Sequence, residues 1–197
     1  MESGLRPCYP IALGELEAVL GNPYRSKCRD GVTQEYVRER FGYDSYLGDL
    51  YWRISPCHAV RIGDWAYSTY PDKKSGNHRK TVRVNGGRVP QSHVIWMYFY
   101  GKWPEDELDH KDRNPLNDRI LNLRDSTTSQ NCMNQVAKCN NKCGFKGVIK
   151  HSQQNAFWVR ISAGGRRYNL GLYPTAELAA GAYRIAAAAI HGEFSGV

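Results

Sequence analysis

The sequence of 197 residues contains no apolar run that approaches the roughly 18 residues a membrane-spanning helix needs. An acid stands at position two and no long apolar segment follows it, so we expect no secretory signal peptide and a cytoplasmic location. Internal repeats and low-complexity tracts are also missing from the sequence. These absences exclude membrane and repeat proteins, and they leave one large domain or two to three small ones.

The sequence has six cysteines but no CxxC pair. Because nothing indicates secretion, we expect reduced thiols rather than disulfides. Cys132, Cys139, Cys143 and His151 form a conceivable zinc-ligand set, but their spacing fits no standard zinc motif. We therefore expect no structural zinc.

Acidic side chains are scarce at one end of the chain and abundant in the middle. Residues 141–197 contain seven Lys or Arg and only two Glu, whereas residues 105–131 contain seven acids and four bases. The whole chain carries a formal net charge of +8. A basic segment of this kind indicates a polyanionic partner such as nucleic acid, and the acidic segment is suited to holding a cation.

The first half of the chain predicts helices followed by strands. Residues 1–45 have apolar side chains at helical spacing in "IALGELEAVLG", and a second helix is predicted from Thr33 as N-cap to Gly42. Residues 46–90 are β-rich, and the Asn-Gly pair in "KTVRVNGGRVP" predicts a hairpin between two β-branched runs.

Residues 91–138 predict a helix and then a strand–loop–strand–helix unit. "SHVIWMYFYGKWP" favours a helix from a Ser92 cap to Gly101, with a buried strand as the alternative. "DELDHKD" and "ILNLRDS" are predicted strands on either side of a Pro/Asn loop, and "TTSQNCMNQVAK" is a short helix with hydroxyl caps.

Residues 143–197 predict three strands and one helix. The strands are "FKGVIKHS", "FWVRIS" and "RRYNLGLYP", separated by turn sequences. The helix "TAELAAGAYRIAAAAIHG" has Thr175 at its N-cap and Gly192 after its end. Its alanine-rich face is thin, so we expect it to lie close against a three-stranded antiparallel sheet. The chain as a whole is thus expected to be of the α+β class.

The most informative stretch is "LDHKDRNPLNDRILNLRDSTTSQN", in which an Asp-His pair precedes Asn122 and Asn131. Asn122 lies twelve residues after His110, and Asn131 lies nine residues further on. With "FGYDSYLGDLYWR" and "HVIWMYFYGKWP" ahead of it, the pattern resembles the HNH nucleases of the phage homing-endonuclease type over roughly residues 30–135. The resemblance implies a small ββα-metal (His-Me finger) module that hydrolyses DNA phosphodiester bonds.

By that resemblance, His110 is the general base, Asp109 and Asn131 are metal ligands, and Asn122 fixes His110 through the backbone of the loop. The chemistry of these side chains agrees, because an imidazole titrates near neutral pH and accepts a proton from water. One carboxylate and one amide oxygen form a thin, hard ligand set, which suits Mg²⁺ (or Mn²⁺) completed by water and phosphate oxygens.

Several positions are open to two interpretations. Adjacent residues on a strand point to opposite faces, so Asp109 and His110 can serve one phosphate only at a strand end where the chain bends. His93 either touches phosphate or packs, with packing favoured. Arg124 either reaches a DNA phosphate or pairs with an acid.

The C-terminal segment, over about residues 143–195, resembles the plant ethylene-response-factor (APETALA-type) DNA-binding domain, which also occurs in phage nucleases. That resemblance implies a sheet that enters the major groove of double-stranded DNA, backed by a helix. Alternation puts Phe157, Val159 and Ile161 on one face of the middle strand. The residues expected to face DNA are Lys146, Lys150, Trp158, Arg160, Arg167 and Asn169. Ile149 and Arg160 depart from the plant pattern, so only the binding mode carries over.

The sequence therefore predicts a modular, phage-type DNA endonuclease that depends on a divalent metal and is most simply a monomer. Two other functions compete with it. One is a DNA-binding regulator with an inactive nuclease fold, and the other is a phage protein that binds and inhibits a host or defence protein.

Overall fold

The computed structural model describes residues 28–71, 78–137 and 141–196 of the chain. Within these ranges it is a mixed α+β structure with four α-helices and four small antiparallel sheets. The helices are α1 (Gln34–Arg40), α2 (Gln91–Tyr100), α3 (Thr128–Asn134) and α4 (Ala176–His191). Two 3₁₀ turns occupy Ile120–Asn122 and Gly192–Phe194. None of the helices in these ranges is long and apolar enough to cross a membrane.

Ten strands make up the four sheets. They are β1 (Phe41–Asp44), β2 (Asp49–Trp52), β3 (Tyr67–Pro71), β4 (His78–Val84), β5 (Gly87–Pro90), β6 (Glu107–His110), β7 (Leu123–Ser126), β8 (Val148–Lys150), β9 (Phe157–Ala163) and β10 (Arg166–Tyr173). The pairs β1–β2 and β6–β7 are two-stranded, and the orders β3–β4–β5 and β10–β9–β8 are three-stranded.

The helix predicted from Thr33 exists, but it is shorter than expected. The Thr33 hydroxyl accepts a hydrogen bond from the Tyr36 amide, and the helix ends at Arg40. Phe41–Asp44 is a strand instead, which pairs with β2 and places Gly42 directly beneath the Tyr51 ring. A Cβ atom there would lie 2.1 Å from the ring, so the close strand pairing depends on glycine. The other predicted helix of residues 1–45, "IALGELEAVLG", lies outside the described residues.

The β-rich character predicted for residues 46–90 is confirmed. Asn85 and Gly86 both have positive φ angles, 46° and 76°, and connect β4 to β5 as a tight hairpin. The helix predicted at "SHVIWMYFY" is also confirmed and ends at Gly101 in the left-handed conformation. Its predicted start is wrong, because Pro90 occupies the N-cap and no side chain caps the helix there.

Two hydrophobic cores hold the described residues. The larger core joins α1, β1–β5, α2 and the β6–β7 hairpin, and Val37, Leu50, Val94 and Ile95 are fully buried in it. The β6–β7 hairpin therefore packs against the N-terminal sheets, because Leu108 and Leu123 belong to this shared core.

The smaller core lies between α4 and the sheet β10–β9–β8. Ala179 and Ala187 of the helix are fully buried against Val148, Val159 and Ile161 of the sheet. The small alanine side chains let the helix approach the strands closely, as the sequence predicted. The helix begins at the Thr175 cap and ends at Gly192, also as predicted.

Candidate active site and nucleic-acid interface

The candidate active site is built on β6, whose alternate residues face two different environments. Glu107 and Asp109 point toward α3, where they contact Asn131 and Asn134. Leu108 belongs to the larger core, and His110 contacts Asp118 on the loop between β6 and β7. Successive side chains of β6 therefore point to opposite faces, and Asp109 and His110 lie on different sides of the strand.

The His110 ring is held by a buried carboxylate. Its Nε2 atom lies 2.8 Å from Asp118 Oδ1, and the His110 side chain is 15% exposed. A carboxylate only accepts hydrogen bonds, so Nε2 carries the proton in the neutral ring and Nδ1 keeps its lone pair. This arrangement fits a general base that uses Nδ1.

Asp118 is itself fixed by a chain of buried polar groups that reaches the N-terminal sheet. Gln91 at the start of α2 donates from Nε2 to Asp118 Oδ2 at 3.0 Å and to Asp49 Oδ1 at 2.9 Å. Lys80 of β4 pairs with Asp49 at 2.5 Å. Because every member is paired, this network fixes the Asp118 carboxylate in one position.

Asn122 organises the loop that follows His110. Its Oδ1 atom accepts from the Asp112 amide, and its Nδ2 atom donates to Asp112 Oδ1 and to the Asn117 carbonyl. The amide thus bridges the backbone of the loop. It fixes the loop, whereas Asp118 is the residue that holds the imidazole ring.

The same loop contains a carboxyl group with an altered pKa. Burial raises the pKa of Asp112, but hydrogen bonds from Asn117, from the Asn114 amide and from Asn122 outweigh burial. The net result is a pKa for Asp112 below its usual value, because these donors stabilise the ionised carboxylate.

Asp109 is buried and paired with a cation. Arg124 of β7 donates to Asp109 Oδ2 from Nε at 2.8 Å and from Nη2 at 2.6 Å. Asn134 of α3 donates to both carboxylate oxygens at 2.9 Å. Of the two possibilities for Arg124, pairing with an acid is the one that occurs. Asp109 Oδ1 accepts one described hydrogen bond, from Asn134, so this oxygen keeps acceptor capacity.

Asn131 faces the same side of β6 from the first turns of α3. Its Nδ2 atom donates to Glu107 Oε2 at 2.5 Å. The capping box of Thr127 and Gln130 sets the start of this helix, which places residues 128, 131 and 134 along one face. Asn131 and Asp109 are therefore on facing elements, each with its own partner on the opposite element.

The donor chemistry of this face fits a hard divalent cation. Two carboxylates, Glu107 and Asp109, and the amide of Asn131 lie on one side of the hairpin. Oxygen donors of these types are the ones that Mg²⁺ takes from proteins. In the part of the chain that the structure describes, no group of three or more His, Cys, Asp or Glu side chains is arranged to hold a metal.

The 3₁₀ turn Gly192–Phe194 contacts the guanidinium group of Arg124, which also pairs with Asp109. The guanidinium carbon lies 3.8 Å from the centroid of the Phe194 ring, and Nη1 donates to the Glu193 carbonyl at 2.6 Å. Arg113 on the active-site loop also donates to the Gly196 carbonyl. The C-terminal unit therefore contacts the β6–β7–α3 unit through the arginine that pairs with Asp109.

His93 is buried in α2, and its Nδ1 atom lies 2.7 Å from Arg29 Nη2. This placement favours the packing role over a phosphate contact.

The outward face of the C-terminal sheet carries polar residues. The register pairs Arg167 with Ser162 and Asn169 with Arg160, so these side chains share the face opposite α4. Arg160, Arg167 and Asn169 are exposed. Trp158 is half-buried and stacks on His151 with ring centroids 5.6 Å apart.

Two residues of the predicted DNA-binding set are placed differently. The register aligns Lys150 with Phe157, which assigns it to the helix side of the strand end, and exposed Ile149 stands on the outward face instead. Lys146 donates from Nζ to the Met133 carbonyl of α3. Burial lowers the pKa of Lys146, with a further contribution from Arg113. Lys146 therefore joins the two units rather than extending from the sheet.

Sequence reasoning missed Glu107, Gln91, Asp118 and Asn134. Asn134 had a usable signal, because it lies three residues after Asn131 and so shares its helix face. Asp118 and Gln91 had none, since their contacts with His110 and Asp49 join residues brought together only by folding.

Parts of this chain are similar in sequence to known proteins. A protein-family model described as HNH endonuclease matches residues 87–133. Protein 3.8 of Escherichia phage T7 is 29% identical over 110 residues, which are 55% of this chain and 90% of that protein. An uncharacterized HNH endonuclease of Acanthamoeba polyphaga mimivirus is 36% identical over 103 residues, and the match covers 52% of each chain. No solved structure matches the chain. Residues 87–133, which contain α2, the β6–β7 hairpin and most of α3, therefore carry a domain of the HNH endonuclease family.

Proposed function

We propose that this chain is a divalent-metal-dependent DNA endonuclease of the homing type, in which a C-terminal sheet docks the enzyme on double-stranded DNA. The observation that carries the proposal is the position of His110. It stands at the end of β6 in a β–β–α unit, inside the segment that matches the HNH family, with its ring held by Asp118.

The proposed chemistry uses His110 as general base. Its Nδ1 atom takes a proton from the attacking water as the new bond from oxygen to phosphorus forms. The bond from phosphorus to the leaving sugar oxygen breaks, and that oxygen is protonated from solvent. Asp118 keeps the ring oriented and stabilises the imidazolium that results, while Asn122 holds the adjacent loop in place.

Asp109 and Asn131 are the proposed ligands of Mg²⁺ or Mn²⁺, with Glu107 as an additional carboxylate on the same face. A bound divalent ion would neutralise charge on the phosphate and on the leaving oxygen. Asp109 offers Oδ1 for this role, because Oδ2 is taken by Arg124. Arg124 and Asn134 then act as groups that orient the Asp109 carboxylate.

The proposed DNA-docking surface is the outward face of the C-terminal sheet, with Arg160, Arg167, Asn169 and Trp158. Arginine can donate to phosphate oxygens or to guanine, and asparagine can pair with adenine in the major groove. A cavity of about 710 Å³ beside this face is lined by Arg160, Arg167 and Lys142. The surplus of positive charge on residues 141–197 supports a phosphate-rich partner.

Cleavage of supercoiled plasmid in Mg²⁺ or Mn²⁺ tests the proposal. Wild-type protein should nick the plasmid, since a monomer with one such site acts on one strand at a time. His110→Ala should lower the rate by about 10²–10⁴-fold, the usual contribution of a general base. His58→Ala is a matched control, because His58 is an exposed histidine remote in sequence from the HNH segment. Undiminished cleavage by His110→Ala would contradict the assignment.

A second function, a DNA-binding regulator without nuclease activity, is favoured by one observation. The carboxylate of Asp109, a proposed metal ligand, is already neutralised by Arg124. Specific DNA binding with no cleavage in either metal would support that function. A protein of either type is expected to act in the cytoplasm of a bacterial host, where a phage gene product meets DNA.

A further inference from the structure

The N-terminal sheet carries an aromatic–arginine groove that the proposed cleavage and docking roles do not use. We define this groove by Tyr36, Arg40, Trp65, Tyr70, Arg83 and Arg88, which line a cavity of about 630 Å³. Trp65 is 45% exposed and Tyr70 is 36% exposed, so part of each ring is open to a ligand.

The groove is positively charged and carries no compensating acid. Its described lining includes three arginines and no Asp or Glu. The register sets Arg83 of β4 directly opposite Arg88 of β5, so two of the three cations stand side by side on one sheet face. Like charges placed directly opposite each other repel, and an anion bound between them would relieve that repulsion.

One arginine lacks the partner that a buried donor normally has. The Nε atom of Arg40 is buried and makes no hydrogen bond within the described residues. Its guanidinium carbon lies 4.5 Å from the Tyr36 ring centroid, and that of Arg88 lies 4.1 Å from the Tyr70 centroid. Buried donors usually have an acceptor, so Arg40 Nε can donate to a phosphate oxygen or to water in the groove.

The chemistry of the groove identifies the class of ligand. Exposed aromatic rings beside arginines bind groups that are both planar and anionic, and nucleotides have both properties. Paired bases are stacked within a duplex and offer no face to a concave surface. Unpaired bases can stack on Trp65 or Tyr70 while the arginines bind the phosphates. The volume lies in the usual range of roughly 300–1,000 Å³ for ligand sites.

We propose that this groove binds single-stranded DNA, as an unpaired segment of the substrate. The inference rests on the proposed function for the choice of DNA, and it extends that function by naming a substrate with an unpaired strand. The groove and the HNH segment share the larger hydrophobic core, so both belong to one folded unit.

Fluorescence anisotropy of the full chain in EDTA tests the inference without cleavage. The probes are a labelled 12-nucleotide oligodeoxythymidine and a fully paired, blunt-ended duplex of 12 base pairs. Trp65→Ala and Tyr70→Ala should each weaken binding of the single strand by at least about fivefold, while duplex affinity changes by less than twofold. Tyr46→Ala is the matched control, because Tyr46 is an exposed ring beside Arg119 outside the groove.

A charge-matched pair separates stacking from general electrostatics. Arg88→Ala removes one cation from the groove, and Arg61→Ala removes one exposed cation outside it. Greater loss of single-strand binding for Arg88→Ala supports the inference. Equal losses in the two variants, or parallel losses for single strand and duplex, overturn it. If an aromatic substitution unfolds the protein, Arg88→Ala still tests the groove, because Arg88 is exposed.

Failure of this inference can be distinguished from failure of the proposed function. If Arg160→Ala/Arg167→Ala abolishes single-strand binding and the groove variants do not, the groove is wrong and the endonuclease proposal stands. If the wild-type chain leaves plasmid intact but the groove variants lose single-strand binding, the groove is supported and the endonuclease proposal is wrong.

Discussion

The Nε2 atom of His110 lies 2.8 Å from the Oδ1 atom of Asp118, across the loop that joins β6 to β7. Asp118 is 2% exposed, so it cannot contact DNA and can affect catalysis only through His110. In the proposed enzyme, Asp118 is accordingly a positioning residue.

Asp118→Asn is expected to lower kcat for plasmid or oligonucleotide cleavage by at least about tenfold, with KM nearly unchanged. The substitution keeps the side-chain size but removes the charge that orients the imidazole. Steady-state kinetics measure the two constants separately. Asp30→Asn removes an exposed carboxylate and should leave both constants unchanged. A change confined to KM would show that the Asp118 charge does not act through His110 in the chemical step.

Arg124→Leu is expected to destabilise the fold by about 3–5 kcal/mol, because it leaves the Asp109 carboxylate buried without its cation. The two side chains are 9% and 5% exposed, so solvent screens the pair only slightly. Urea unfolding followed by circular dichroism measures the loss. Asp109→Asn in the same chain should recover part of it, whereas Arg184→Leu on the exposed side of α4 should cost little. A loss as small as that of Arg184→Leu would show that the pair contributes no stability.

Gly147→Ala is expected to unfold the C-terminal unit at a lower temperature than Gly165→Ala does. Both glycines have positive φ, 73° and 72°, so alanine introduces similar backbone strain at each position. Only Gly147 adds a collision, because its Cβ would lie 2.2 Å from the Tyr183 ring and 2.6 Å from the Arg160 carbonyl. Calorimetry compares the two variants, and equal melting temperatures would mean that both the Tyr183 ring and the Arg160 carbonyl move away at little cost.

The pKa of Asp112 is expected to rise toward its usual value in Asn122→Ala. Asn122 is one of the donors that stabilise the ionised Asp112 carboxylate. A pKa held below the unfolded value stabilises the loop above the usual titration range of aspartate, and this contribution disappears as pH falls through the folded pKa. Carbon-detected NMR titration of Asp112 measures the pKa in both proteins. An unchanged pKa would show that Asn117 and the Asn114 amide suffice alone.

Arg160→Ala is expected to reduce the salt dependence of duplex binding, while Lys146→Ala should not. Each phosphate contact that is lost lowers the slope of log K against log salt concentration by about 0.9. Arg160 is exposed on the outward face of the sheet, whereas Lys146 donates to a carbonyl of α3. Anisotropy at several salt concentrations measures the slopes. A larger change for Lys146→Ala would place the DNA elsewhere on the C-terminal unit.

Local sequence signals accounted for most of the secondary structure. Caps at Thr33, Thr127 and Thr175, and the Asn-Gly turn of the β4–β5 hairpin, act within a few residues and are readable without a fold. The predicted start of α2 was wrong because Ser92 has the side chain of an N-cap residue. In the structure Ser92 is buried inside the first turn, and Pro90 is the N-cap residue.

The spacing of His110, Asn122 and Asn131 in the chain was enough to indicate an HNH domain, because that pattern is carried by neighbouring residues of one hairpin and one helix. The partners of His110 and of Asp109 were decided by tertiary structure. Asp118 meets His110, Arg124 meets Asp109, and Phe194 reaches Arg124 from 70 positions away. A side chain's periodicity shows which face it occupies, but the group that stands opposite depends on how separate elements pack. That packing is set by the two hydrophobic cores, which draw on residues spread over the described chain.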